Sequence, residues 1–497
     1  MRLKRFGNVV SVLAALSMMS ACGEGGTTGG GSIGTSTPTP TGSSPTPTPT
    51  VAGCSLRERQ DWAFAQLKEW YLFPDTLPAS LDPTPYASVP DYIDALTATA
   101  RAQHKDRFFT YLTSITEENA FIGSGSSAGF GVRLGLTPDN RLFISESFEG
   151  APALAVGIDR GTEITAIGTT SSNLQTVASI IASSGSQGVT DALGPSTAGT
   201  TRFLRIVNGS GTSVVSVTKA DYSLTPVSSR YGAKIISDAG GQYGYINLRT
   251  FISTAEQPLR DAFQSFRNAG ISNIIIDLRY NGGGLVSIGD LMGDLMGAGR
   301  SPVEVWESMT FRPEKTAQNS KHTFTIQPQS IAPTRVAFIG TGGTASASEL
   351  VINGMVPYLH ANAALVGTNT YGKPVGQIAL DKAACDDRFR IIAFAINNAA
   401  GTGNYYDGLA PFMNTTCAAS DDISFPLGDA REASTRKALD FLEGKSCTAI
   451  AGGGDDTIAG TGTPGSQAAK ASVSTAERQL LMPKRPTAAQ FDTPGLF

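Results

Sequence analysis

Between Gly340 and Met355 the chain reads GTGGTASASELVINGM. Three small hydroxyl residues, Thr344, Ser346 and Ser348, follow a glycine-rich bend and lead into an apolar run. The preceding TRVAFIG reads as an apolar strand and SASELVINGM as a helix. Ser346 therefore falls at a helix start, where unpaired N–H groups and the helix dipole favour negative charge. A serine attacking a carbonyl needs such a setting. An N-cap serine closed by Glu349 in a capping box needs the same residues, and taken alone they favour that structural role. A nucleophile also needs a base. The three histidines, His104, His322 and His360, lie in no recognisable catalytic sequence.

Other short motifs carry less. Gly125-Ser126-Ser127-Ala128-Gly129 spells G-x-S-x-G, but small residues precede it and a strand pattern follows, whereas a nucleophile elbow needs strand then helix. Ser216 to Lys219 and Ser434 to Lys437 both spell S-x-x-K. The first lies in a strand pattern. The second is expected on the polar face of a helix whose apolar face includes Leu439, Phe441 and Leu442. The stretch AGGGDDTIAG resembles one imperfect calcium-binding repeat, and a lone repeat cannot stack into a β-roll.

A chain of 497 residues has room for two to four domains around such a site. Its net charge of −4 comes without a basic block, which sets nucleic-acid binding aside. At the N-terminus, Arg2, Lys4 and Arg5 precede the apolar VVSVLAALSMMSA, too short for an ordinary membrane span. It ends at Met19-Ser20-Ala21-Cys22, which resembles a bacterial lipobox. Residues 1–22 then form a lipoprotein signal peptide with Cys22 as the lipidated residue; the alternative is a plain secretory signal. Residues 23–53 are nearly all Gly, Ser, Thr and Pro and read as a flexible tether. The expected location is the periplasmic face of a bacterial membrane, the outer membrane favoured over the inner. Cys54, Cys385, Cys417 and Cys447 remain, an even number that suits disulfides in an exported chain with three possible pairings. So few histidines and no C-x-x-C argue against a metal site.

The expected fold is multidomain α+β. Residues 54–116 read as a helical domain: Leu56, Ala63, Phe64, Leu67, Trp70 and Tyr71 share one stripe, and a second helix spans VPDYIDALTATARAQ. Residues 117–221 turn to short strands, GFGVRLGL, RLFISES and TRFLRIVN, with GAPALAVG as a short helix. That order resembles a PDZ domain, where a loop like Gly129-Phe130-Gly131-Val132 presents backbone N–H groups to a peptide's terminal carboxylate. Residues 222–449 alternate strands and helices as an α/β core with a buried sheet. Residues 450–497 read as a low-complexity tail.

Two further stretches change the reading of Ser346. IIIDLRYNGGG precedes it and VGTNTYGKPVGQ follows. With the S-A-S-E segment, and in this order behind a PDZ-like domain, they resemble the carboxyl-terminal processing, or tail-specific, serine peptidases. The resemblance runs from about Leu56 to Leu442. It implies Ser346 as nucleophile, Lys373 as general base and Gln377 as the residue orienting the lysine. It further implies an oxyanion hole from backbone N–H groups of Ala347 and the Gly282-Gly283 loop, where glycine permits close approach. Pro374 stands where the family commonly has glycine, and the stretch between serine and lysine is slightly long.

The implied activity is a serine endopeptidase working through an acyl-enzyme with no cofactor. Its partners would be protein or peptide substrates with apolar C-termini captured by the PDZ-like domain. The rival is a hydrophobic-ligand or peptide-binding lipoprotein on the same core. Cys385 and Cys417 flank the RIIAFAINNA strand and are expected to pair, leaving Cys54 with Cys447.

Overall fold

A computed structural model describes residues 51–451, 458–459 and 478–497. The expected signal peptide, its Cys22 and most of the expected tether lie outside the described residues. Among the described residues no helix is long and apolar enough to cross a membrane.

The core is a six-stranded sheet in the order Ala233–Asp238, Gly241–Asn247, Asn273–Asp277, Arg335–Gly340, Ala363–Gly367 and Thr415–Ala418. Only the first pair is antiparallel. Strand alternation explains how it is buried on both faces. Ile274, Ile276, Val336, Phe338 and Leu365 enter one apolar cluster with the helices Glu256–Asn268, Val286–Leu295 and Ala347–Leu359. Ile275, Ala337, Ile339, Ala364 and Val366 enter the opposite cluster, under the helix Ala433–Leu442. The helix Glu256–Asn268 shows the expected spacing, burying Leu259, Ala262, Phe263 and Phe266.

A second sheet is built around the long strand Asp387–Asn398, which pairs with Tyr111–Ser114, Val305–Phe311 and Val375–Lys382. The N-terminal helix Leu56–Trp70, capped by Ser55 and Glu58, packs on this sheet through Ala63 and Leu67 beside Phe389 and Ile391. The expected second helix is two, Val89–Leu96 and Ala98–Ala102. The boundary drawn between 116 and 117 falls inside the helix Ile115–Ser124.

Residues 132–218 form a third sheet with strands Val132–Leu136, Leu142–Ser147, Glu163–Gly168, Gln175–Thr176, Thr201–Asn208 and Gly211–Thr218. The short helix Pro152–Ala155 lies where GAPALAVG suggested it, and a longer one spans Val177–Leu193.

Three expectations need correction. The disulfides join Cys54 to Cys385 and Cys417 to Cys447, not Cys385 to Cys417 and Cys54 to Cys447. Cys385 sits in the turn between Val375–Lys382 and Asp387–Asn398, near the start of the helical region, whereas Cys417 belongs to the edge strand of the other sheet. Proximity in sequence placed two cysteines together that the fold assigns to different sheets. Ser434 and Thr435 are buried against Glu432 rather than standing on a polar helix face. Residues 478–497 are not an irregular tail. Gln479–Leu481 adds a strand to Val132–Leu136, Ala488–Asp492 is helical, and Leu481, Leu496 and Phe497 are buried.

Candidate active site

The strand Arg335–Gly340 delivers the chain to a bend, and the helix Ala347–Leu359 starts immediately after Ser346. Ser346 has φ +57° and ψ −117°, a backbone region that side chains enter only when the surroundings impose it. The three hydroxyls separate by their surroundings. Thr344 is buried and donates to the Leu278 carbonyl at 2.8 Å. Ser348 is buried and donates to the Asn281 carbonyl at 2.9 Å. Ser346 alone of the three is half-exposed. Thr344 and Ser348 thus pin the bend to the loop after Asn273–Asp277, and Ser346 is presented to solvent.

That loop carries Gly282 and Gly283. Gly283 has φ +114°, and a Cβ on it would lie 2.7 Å from Ser346 Cβ and 3.0 Å from the Ala347 nitrogen. Glycine is required here by contact as well as by conformation. The structure therefore brings Ser346, Ala347, Gly282 and Gly283 together. The Gly283 N–H is engaged by Asn281 Oδ1 at 2.9 Å, and the Gly282 N–H donates to the Asp492 carbonyl at 3.0 Å.

The Lys373 backbone is brought beside that of Ser346 from the segment after Ala363–Gly367. Glu349 fixes it. This buried carboxylate accepts from the Ser346 N–H at 3.0 Å and the Lys373 N–H at 2.7 Å on one oxygen, Oε2. Its other oxygen accepts from the Gly372 N–H at 2.7 Å and Thr370 Oγ1 at 2.6 Å. Burial pushes the Glu349 carboxyl up, and the Thr370, Lys373, Gly372 and Ser346 bonds oppose that. The sequence marks Glu349 only as a helix cap. Its second role depends on a loop more than twenty residues away.

Lys373 Nζ donates to Gln377 Oε1 at 3.1 Å, and Gln377 Nε2 donates to the Phe109 carbonyl. Phe109 is held in turn by Asp106, which accepts from the Phe109 and Thr110 N–H groups and from the Tyr71 hydroxyl. Arg107 clamps the other side of the lysine loop through the Tyr371, Gly372 and Tyr406 carbonyls. The segment 106–110 from the helical region thus completes the site, and no local motif announces it.

Burial lowers the Lys373 ammonium to about 8, while Asp492, Asp106 and Glu349 raise it and Arg390 lowers it further. The histidines are committed elsewhere: His104 to Asp407, His322 to Asp294, and His360 at the far end of the Ala347–Leu359 helix.

In the third sheet, Gly131 has φ +73°, and a Cβ on it would lie 1.9 Å from Ala151 Cβ. The N–H groups of Gly131 and Val132 both donate to the Phe497 carbonyl oxygen, at 2.9 and 3.1 Å. Phe130 and Val132 are buried in the cluster that holds the Phe497 ring.

Residues 242–396, which include Ser346, Lys373, Gln377, Gly282 and Gly283, match the model of Peptidase family S41. The chain is 26% identical to carboxyl-terminal-processing peptidase 3, chloroplastic, of Arabidopsis thaliana over 69% of its own length and 63% of that protein. It is 26% identical to the carboxyl-terminal-processing protease of a Synechocystis species over 50% of its length and 54% of that protein. The chain thus spans between half and two thirds of these curated relatives. A crystal structure of an S41-protease candidate from Bacteroides fragilis shares the fold, with a TM-score of 0.59 at 23% identity, covering 77% of this chain and 97% of that one. Residues 242–396 are thus similar to Peptidase family S41, the chain resembles carboxyl-terminal-processing proteases, and it shares its fold with the Bacteroides fragilis structure.

Proposed function

We propose that the chain is a serine endopeptidase in which Ser346 is the nucleophile, Lys373 the general base and Gln377 the residue that orients the lysine. The observation that carries this reading is the shared Glu349 oxygen, which holds the backbones of Ser346 and Lys373 side by side.

Neutral Lys373 takes the Ser346 hydroxyl proton as Oγ bonds to the substrate carbonyl carbon. The resulting oxyanion is received by N–H groups of Ala347 and Gly282. Collapse breaks the C–N bond, and the departing amine takes the proton from the lysine ammonium. Water then gives a proton to Lys373 and attacks the acyl-enzyme, releasing a carboxylate product and regenerating Ser346. That Gly282 already donates to a peptide carbonyl, Asp492, supports its part in this scheme.

Substrates are protein or peptide segments with apolar C-termini, gripped by the Gly129–Val132 loop of a PDZ-like domain over residues 117–221. The enzyme is anchored through lipidated Cys22 on the periplasmic face of a bacterial membrane. Release of labelled fragments from denatured casein tests the activity. It should be abolished in Ser346→Ala and retained in His104→Ala, His322→Ala and His360→Ala; equal release by wild type and Ser346→Ala contradicts the reading.

A further inference from the structure

The strand Val132–Leu136 has two edges. One pairs with Leu142–Ser147, and the other is covered by the chain's own residues 479–481 and 495–497. Leu480 pairs with Gly135, and Leu496 pairs antiparallel with Arg133. The Leu134 N–H donates to the Gly495 carbonyl at 2.8 Å, and the Phe497 N–H to the Val132 carbonyl at 2.9 Å. The Phe497 ring is 4% exposed in the cluster with Phe130, Ile180 and Leu193. This is addition of an extended segment to a sheet edge, with main-chain bonds and one side-chain pocket.

The same segment also packs on the Gly282-Gly283 loop that lies against Ser346. The Asp492 carbonyl takes the Gly282 N–H, and a Cβ on Gly282 would lie 2.0 Å from the Phe491 carbonyl oxygen. The Phe491 ring stacks on Tyr111 with centroids 4.1 Å apart. The Asp492 carboxyl faces Lys373, Arg390 and Glu118. Gln490 Nε2 bonds the Leu496 carbonyl at 2.8 Å, folding the segment into a hook. Arg133 Nη1 donates to both the Pro494 and Tyr280 carbonyls, tying the hook to the loop that carries Gly282.

We propose that residues 487–497 are a tethered occupant of the substrate site, which incoming peptide segments displace. The hook defines the ligand the groove takes: an extended peptide with a large apolar residue at the Phe497 position. Between that residue and the serine lies a short kinked spacer, as in Thr493-Pro494-Gly495. The proposal rests on the peptidase reading of Ser346. A groove affinity on the order of 10 µM against an effective concentration of about 1 mM for a tethered segment gives ~100-fold suppression of access.

Two full-length variants release the hook without touching the groove. Phe497→Asp puts a carboxylate into the apolar cluster. Gly495→Val forces a side chain onto a residue at φ +82° whose Cβ would lie 2.9 Å from the Leu134 carbonyl. In a Ser346→Ala background, a fluorescein-labelled peptide of residues 487–497 should bind either variant ~100-fold more tightly than the unaltered hook allows. With Ser346 intact, a fluorophosphonate probe should label the variants at least ~10-fold faster. Equal peptide affinity and equal labelling rates in folded proteins overturn the proposal, as does slower labelling of both variants. If neither protein labels but the peptide binds more tightly to the variants, the occupant stands and the peptidase reading falls. If Ser346 labels at one rate throughout and no peptide binds, the reverse holds. Should one variant fail to fold, the other decides.

Discussion

The Lys373 backbone N–H donates to Glu349 Oε2 at 2.7 Å, on the same oxygen that receives the Ser346 N–H. One buried carboxylate therefore sets the approach of the lysine loop to the serine. The capping-box geometry that makes Ser346 look merely structural is the device that aligns it. Glu349→Gln replaces one acceptor oxygen with an NH₂ among N–H donors. It should reduce kcat by ~100-fold, as misplacement of a base by about 1 Å does, and cost one hydrogen bond's worth of stability, roughly 1–3 kcal/mol, on thermal unfolding. Wild-type turnover in a folded Glu349→Gln protein contradicts this positioning role.

Lys373 acts as a base only when neutral. Its ammonium is lowered from 10.5 to about 8 chiefly by burial, so activity should rise with pH and level off above about 8. Asp492 pulls the lysine up, so Asp492→Asn should shift that rising limb to lower pH. Lys373→Arg stays protonated and should be as inactive as Lys373→Ala. A pH–rate profile with a midpoint near 6.5 that disappears in a histidine variant points to a different base.

Gly131→Val should abolish binding of the 487–497 peptide, measured by anisotropy in the Ser346→Ala background. The new side chain meets Ala151 at a Cβ position only 1.9 Å away, on a residue at φ +73°. Backbone strain of about 1–3 kcal/mol is expected. Unchanged binding would mean that the Gly131 and Val132 N–H groups do not grip the ligand.

A non-reducing peptide map should recover Cys54 with Cys385 and Cys417 with Cys447. The first closes a sequence separation of 331 residues and the second one of 30. Chain-entropy arguments assign them roughly 6 and 3–4 kcal/mol. Cys54→Ser should therefore lower the unfolding midpoint more than Cys447→Ser, and the Cys385–Cys417 peptide should not be found.

Much of the core was legible because its signals are local. Apolar runs such as NIIID and RVAFIG read as strands buried on both faces, and the glycine bend before SASE marked a helix start. What was not legible depends on distance. Asp106, Arg107 and Phe109 support Lys373 and Gln377 from more than 260 residues away, and nothing in their own sequence points there. The cysteine pairs follow the partition of strands between two sheets, which spacing does not encode. Residues 478–497 follow a glycine- and alanine-rich stretch and looked like its continuation. The apolar run Leu480-Leu481-Met482 and the apolar pair Leu496-Phe497 are the available signal that part of this segment packs.

The central claim, a Ser346–Lys373 pair, is tested most directly by mapping where a fluorophosphonate attaches in the intact protein. The label should fall on the peptide containing Ser346, with a rate that rises toward pH 8. Labelling should be lost in Lys373→Ala and preserved in His104→Ala, His322→Ala and His360→Ala. Label on another residue, or undiminished labelling of Ser346 in Lys373→Ala, contradicts the account.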